Sequence, residues 1–441
     1  MRATFGLIGK TAMALVLATG IGAGALTVGA TAAVAKEKEK KDAKGSYSKE
    51  FVAAAGPIQK TMTALDEAKK KGASADEQKA LLANATAELG AAEAAVKTPL
   101  DRMAAGGWGV SIGGTLNDVA MRQRGMKNML DSGLVPADKM MEYQFFLGNF
   151  AYGNKDFPAA IAALTPVVQA NYQDESAAEL LADAYAQQKQ YPQALEALNM
   201  AVTARKAAGA PVPEGWFKRA NVIAYQNKLG PQAVAWSTMM VENYPNALNW
   251  LAAAQLVREF GTFTNQESLD LGRLLLRSGG LQNDPKYVER EYVEYIEAAD
   301  PRRLPGEVVK VGDMGLKAGV LKANDPFLAD AMSQAKGRIG PDKASLPALD
   351  REARAGKDGK SAMAMADAYL SYDEAAKAEE MYKMAIEKGG IDKDRALTRL
   401  GIAQVDLDKF EEAKASFAQV GGVRAPLARL WSAFATTQAM P

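Results

Sequence analysis

"EYQFFLGNFAYGNKDFPAAIAALTPVVQANY" (residues 142–172) and "SAAELLADAYAQQKQYPQALEALNMAVTARK" (residues 176–206) decide the fold. Set one above the other at an offset of 34 residues, they match in kind along their length. Leu147 meets Leu181, Gly148 meets Ala182 and Ala151 meets Tyr185. Phe157 meets Tyr191, Ala160 meets Ala194, Leu164 meets Leu198 and Val167 meets Ala201. Apolar residues recur at three and four, with breaks at Gly, Pro and Asn, so each stretch reads as a helix–turn–helix. A fixed period of this length marks a stacked array of hairpins. Small residues are expected where two helices cross closely, Gly148 with Ala160 and Ala182 with Ala194.

This register, with its Leu-Gly-x-x-Tyr-like first helix, its central alanine and its final small residue, resembles the tetratricopeptide repeat. The resemblance implies an all-α, helical-hairpin solenoid or superhelix. A third hairpin follows, with Trp216, Ala220, Ala233 and Met240 near repeat positions and Tyr244-Pro245 at its end. Its first helix fits two registers one residue apart. Two more hairpins return near the C-terminus. One carries Ala366, Tyr369, Ala378, Tyr382 and Ala385, the other Leu400, Gly401, Phe410, Ala413, Phe417 and Val420. "APLARLWSAFATT" reads as a terminal cap. Residues 47–140 read as degenerate hairpins, 141–246 as three repeat-like hairpins, 247–341 as a divergent helical region without the small-residue signature, and 342–441 as a repeat pair with its capping helix. A break is expected near Gly337 to Pro347.

The first 35 residues have a separate job. Arg2 and Lys10 precede an apolar run from Thr11 to Val34 that ends in Ala33-Val34-Ala35. That is the pattern of a cleavable secretory signal peptide, with cleavage expected after Ala35. An uncleaved anchor is the alternative, weakened by Gly20, Gly22, Gly24 and Gly29. Residues 36–46 form a charged leader expected to be disordered. The mature protein is therefore expected to be periplasmic or secreted, with no stable membrane insertion. "GLIGKT" (residues 6–11) resembles the end of a phosphate loop, but Thr4 stands where the first glycine belongs.

Composition narrows the chemistry. The 53 Lys and Arg balance 52 Asp and Glu, which argues against nucleic-acid binding driven by bulk charge. There is no cysteine and no histidine, so thiolate, imidazole and zinc–thiolate chemistry are excluded. No cofactor is implied. "AAGGWGVSIGG" (residues 104–114) lacks a preceding strand and reads as a helix–helix corner rather than a dinucleotide loop. Ser46-x-x-Lys49 and Ser333-x-x-Lys336 lack the accompanying motifs of penicillin-binding proteins. Glu289, Glu291, Glu294 and Glu297 read as a solvated face. The enzymatic rival is Gln266-Glu267-Ser268 with Gly279-Gly280-Leu281-Gln282, which resembles the exported lytic transglycosylases. There Glu267 would serve as acid and base.

The repeat resemblance implies a concave face lined by the first helix of each hairpin, binding a protein or peptide. Carried over by register, its exposed positions are Phe145, Asn149 and Tyr152, then Glu179, Asp183 and Gln187. Trp216, Lys218 and Tyr225 follow, with Met363, Asp367, Arg395 and Thr398 in the second half. Asn149 matches a residue some family members use to hold a peptide terminus. The companion lysines are missing, because Phe145 stands in one place and Asp183 would repel a carboxylate. Aromatic residues beside carboxylates suit a neutral or basic peptide. The expected function is a non-catalytic adaptor in the bacterial cell envelope, and homo-oligomerisation through the solenoid ends is the further alternative.

Overall fold

The computed structural model describes residues 45–172 and 176–439, and all regular structure among them is helical. The export signal, its cleavage site and nearly all of the charged leader lie outside the described residues. The chain divides into two compact units, the first ending at Pro211 and the second beginning at Val212.

The first unit holds four hairpins. They are α1 (Lys49–Lys70) with α2 (Ala75–Ala94), α3 (Pro99–Leu116) with α4 (Val119–Asp131), α5 (Met140–Gly153) with α6 (Phe157–Gln169), and α7 (Ser176–Gln187) with α8 (Tyr191–Ala207). Neighbouring hairpins touch through α2 and α3, α4 and α5, and α6 and α7, as in a helical-repeat solenoid. Side-chain caps set the helix starts. Ser48, Ser74, Asp118 and Asp156 each accept a backbone N–H from the first turn, and Thr98 forms a capping box with Asp101.

The glycine-rich stretch from 104 to 114 is no corner. It lies within α3 and packs against α4 with almost nothing between the backbones. A Cβ placed on Gly106 would lie 2.6 Å from the Gly125 carbonyl oxygen, and one on Gly125 would lie 2.6 Å from the Gly106 oxygen. Gly109 and Gly113 continue the seam against Gly125, Asp118 and Arg122. The glycines are there to admit a neighbouring helix.

The second unit contains α9 (Glu214–Gln226), α10 (Gly230–Asn243), α11 (Ala247–Phe260), α12 (Asn265–Arg277), α13 (Pro285–Ala299), α14 (Pro305–Lys317), α15 (Pro326–Ala355), α16 (Lys360–Ser371), α17 (Ala375–Lys388), α18 (Lys393–Val405), α19 (Phe410–Phe417) and α20 (Ala425–Gln438). Apart from α11, which lies against α10, the first ten pair as consecutive hairpins through α18 and α19. The break expected between 337 and 347 does not occur. α15 runs unbroken through Pro341 and Pro347, and one apolar core extends from Val234 to Ala435. Nor is α20 an end cap. It packs against α10, α11 and α12 as well as α18 and α19, so this unit closes on itself. Trp431 is fully buried and stacks on Phe417, while Phe434 meets Trp250 edge-on at 5.7 Å.

The hairpin turns share one backbone solution. Lys155, Lys189, Lys228, Asp373 and Asp408 all adopt left-handed φ values between 55° and 62°. In each, the next N–H reaches back five residues, as Asp156 N to Ala151 O and Gln190 N to Tyr185 O do. This is a helix-terminating 6→1 bond. Each left-handed residue stands seven after the small position at Gly148, Ala182, Ala366 or Gly401. Lys228 therefore fixes the register of the third hairpin, with Asn221 at the small position.

The small residue faces the large chain of the second helix, not its alanine as the sequence suggested. A Cβ on Gly148 would enter the Leu164 side chain, and one on Gly401 the Phe417 ring. The same device recurs in the region that read as lacking it. Gly272 lies under Tyr295 (2.5 Å to Cγ from an added Cβ) and Gly312 under Met332. Longer turns there stretch the spacing and hide the period.

Candidate functional site

The expected groove positions divide by exposure. In the first unit Asn149, Tyr152, Glu179 and Asp183 are half-buried and Gln187 is exposed, on the adjacent first helices α5 and α7. Phe145 is not exposed. It is buried between the rings of Phe146 and Tyr172, at centroid distances of 5.7 and 6.3 Å. In the second unit Lys218 and Tyr225 are exposed, with Lys218 paired to Glu214 at 2.8 Å. Trp216 is buried, because in the register set by Lys228 it falls on the inner side of α9. Met363, Asp367 and Thr398 are also buried, and Arg395 is half-buried.

Asp367 and Thr398 belong to the interior of the second unit, where the inner faces of α12, α14, α16 and α18 meet. Asp270 is its centre. Its carboxylate accepts from Arg273 Nη1 at 3.1 Å, Arg399 Nε at 3.0 Å and Arg424 Nη1 at 2.8 Å. The Trp431 indole N–H donates to its backbone oxygen at 3.1 Å. Arg399 continues to Asp367 Oδ2 at 2.7 Å and Gln266 Oε1 at 2.9 Å, and Asp367 Oδ1 accepts from the Tyr382 hydroxyl at 2.7 Å. Arg273 holds Glu307 with two parallel bonds of 2.8 Å, and Tyr295 donates to the same carboxylate at 2.6 Å. Burial alone would raise the pKa of Asp270, but the charges of Arg399, Arg424 and Arg273 outweigh it and hold the group down to about 2. Glu307 is likewise lowered: burial opposes ionisation, and the Arg273 charge and its hydrogen bonds override it. Burial and Asp367 push the Tyr382 hydroxyl well above its usual range.

Glu267, the general acid of the enzymatic rival, is part of the same construction. One carboxylate oxygen accepts from the Thr264 N–H at 2.9 Å and the Thr264 hydroxyl at 2.5 Å, closing the capping box of α12. The other lies 2.9 Å from Arg424 Nη2. A buried carboxylate that accepts two hydrogen bonds and faces a guanidinium is unsuited to delivering a proton. The glutamates of α13 are only partly a solvated face. Glu289 and Glu297 are exposed, but Glu291 is buried in a two-pronged pair with Arg258, which also reaches Glu294. Among the described residues no group of three or more acidic side chains could hold a metal ion.

Above the ion network the second unit has an open cavity of about 530 Å³. Arg303 and Leu304 line it from the start of α14, Lys360, Met363, Ala364 and Asp367 from α16, and Ile391, Asp392 and Arg395 from the start of α18. It thus brings together three of the four expected second-half positions. Arg303 and Lys360 were not anticipated. Lys360 holds the repeat place of Arg395, six residues before the small position, and that equivalence was legible.

No protein-family model matches the chain, and no curated protein matches it in sequence. Solved structures do match. The TPR2AB domain of yeast Sti1 in a complex with pHSP90 is 16% identical, covering 68% of this chain and 97% of that one, with a TM-score of 0.24. Naa15/Naa10 bound to HypK-THB is 16% identical over 87% of this chain and 68% of that one, with a TM-score of 0.28. The P58(IPK) TPR domain is 12% identical over 87% and 99%, with a TM-score of 0.23. At TM-scores this low the repeat fold rests on the chain's own register and hairpin geometry.

Proposed function

We propose that this chain is an exported, non-catalytic scaffold that binds a protein or peptide partner along α5 and α7. One contrast carries the reading. Asn149 and Asp183 each follow the small residue of their hairpin and remain half-exposed on adjacent helices. Two residues at that same place in the second unit, Arg273 and Asp367, are spent on buried ion pairs, whereas Asp313, which follows Gly312, is exposed. The first unit thus keeps a strip of two neighbouring polar side chains at a position where the second unit turns Arg273 and Asp367 into its interior. Glu179 and Asp183 place carboxylates on the strip beside Tyr152, and aromatic residues beside carboxylates suit a neutral or basic segment. Export is supported by the charged, apolar and small-residue order of residues 1–35.

The test is a photo-crosslinking residue at Asn149 in living cells. A single envelope protein should be captured, and Asp183→Arg should reduce its yield. Adducts only between copies of this chain, or a yield indifferent to Asp183→Arg, would overturn the strip as the site. The intact mass of the mature protein checks export and should correspond to a chain beginning at Lys36.

A further inference from the structure

The cavity at the start of α14, α16 and α18 is a second feature, independent of the strip on α5 and α7. Three cationic side chains line it, and none makes an ion pair within the described residues: Arg303, Lys360 and Arg395. Arg395 is the telling one. Its guanidinium has only contacts at the outer limit of bonding, Nη1 to Gln266 Oε1 at 3.5 Å and Nη2 to Met363 Sδ at 3.5 Å. Its Nε is buried and has no acceptor. Interior arginines here are otherwise engaged by carboxylates, as Arg273 and Arg399 are. A guanidinium left with unfilled donors beside an open cavity is arranged for an acceptor that comes from outside.

The two carboxylates in the lining do not answer this charge. Asp367 is held by Arg399 and Tyr382, and Asp392 accepts the Arg395 backbone N–H at 3.0 Å as the cap of α18. The cavity also lies at the N-terminal ends of three helices, whose dipoles favour negative charge. Its volume suits a small molecule rather than a folded partner, and Leu304, Met363, Ala364 and Ile391 supply apolar wall. We propose that this cavity binds a small organic anion with two or more negative charges, carried by carboxylates or by a phosphate monoester.

Calorimetric titration of the mature chain tests this with citrate, glycerol 3-phosphate, acetate and a hexaglutamate peptide. Citrate or glycerol 3-phosphate should bind at one saturable site, and which of them does identifies the charged group. Acetate should bind at least about tenfold more weakly, because it engages one cation of three. Lys360→Met and Arg395→Met should each weaken binding by about tenfold or more at an unchanged melting temperature, while Lys336→Met, on an exposed part of α15, should leave it intact. Arg303→Met keeps the test decisive if the Arg395 variant unfolds, since Arg303 is exposed. The proposal is overturned if neither small anion saturates, if the cavity variants bind like the parent, or if only the peptide binds. None of these results bears on crosslinking at Asn149.

Discussion

Arg399 Nε lies 3.0 and 3.2 Å from the two carboxylate oxygens of Asp270, and neither residue exposes any surface. The two are 129 residues apart, on α18 and α12. Their contact ties the last hairpin of the second unit to a helix near its beginning. Arg273 and Arg424 complete the shell around the same carboxylate. Such a cluster adds little net stability over a well-packed apolar core, but removing one member is costly, because the charges left behind remain buried. Asp270→Asn leaves three arginines facing a neutral amide. It should destabilise the chain by about 3–5 kcal/mol in urea unfolding. A loss under about 1 kcal/mol would mean that water reaches the cluster when the charge is removed.

The same carboxylate gives the unit an acid limit. Its pKa falls from an ordinary 3.8 to about 2 on folding. A group lowered in the folded state contributes stability that is present above 3.8 and lost as pH falls through about 2. That contribution is about 2 kcal/mol, and Glu307 acts in the same direction. Stability measured at fixed urea should therefore fall steeply between pH 4 and pH 2, roughly the interval separating the two pKa values. Asp270→Asn should flatten that part of the curve.

Gly106 and Gly125 make a separate prediction for the first unit. An alanine at either position forces a Cβ to 2.6 Å from the facing backbone, so α3 and α4 must part. The cost should be about 1–3 kcal/mol. Gly90→Ala is the matched control. Gly90 lies within α2, and nothing comes within 4 Å of an added Cβ, so the change should stabilise by about 0.5–1 kcal/mol. Thermal melts of the three variants should order in that way.

Phe145 and Asn149 distinguish packing from recognition. Phe145→Ala removes a ring buried against Phe146 and Tyr172 and should cost about 3–5 kcal/mol. Asn149→Ala changes a half-exposed side chain and should stay within about 0.5 kcal/mol of the parent. Lost partner capture with an unchanged melt in Asn149→Ala would place Asn149 in recognition; the same loss in Phe145→Ala alone would not.

The hairpins were legible because their signal is local. Gly148, Ala182, Ala366 and Gly401, the small positions read from the sequence, all stand seven residues before a left-handed turn residue. The period was lost at Gly272 and Gly312 because Tyr295 and Met332 are displaced by longer loops, although the small–large pairing is the same. The site was less legible for a different reason. Asn149, Asp183, Arg273 and Asp367 hold one repeat position, and nothing local separates the exposed pair from the buried pair. What separates them is α20, which returns to α10, α11 and α12 and closes the second unit. The burial of Arg399 and Asp270 follows from that long-range closure. Likewise, the seam from Gly106 to Gly113 looked like a loop because its partner glycine, Gly125, lies on the next helix.

Glu267 separates a scaffold from a glycan-cleaving enzyme by a single substitution. In the lytic reading its carboxyl must donate and recover a proton, so Glu267→Gln would abolish turnover of purified peptidoglycan. In the structure the carboxylate instead closes the Thr264 capping box and faces Arg424. Glutamine keeps the shape and can still accept from Thr264, but it loses the charge opposite Arg424. The variant should therefore be destabilised by about 1–3 kcal/mol, the range for a buried charged partner, and its turnover should equal that of the parent. The two readouts move independently. A melting shift without a change in turnover confirms a structural role for the carboxylate opposite Arg424. Peptidoglycan release by the parent that disappears in a folded Glu267→Gln protein would restore the enzyme, and would require Arg424 to swing away from the carboxylate when substrate binds.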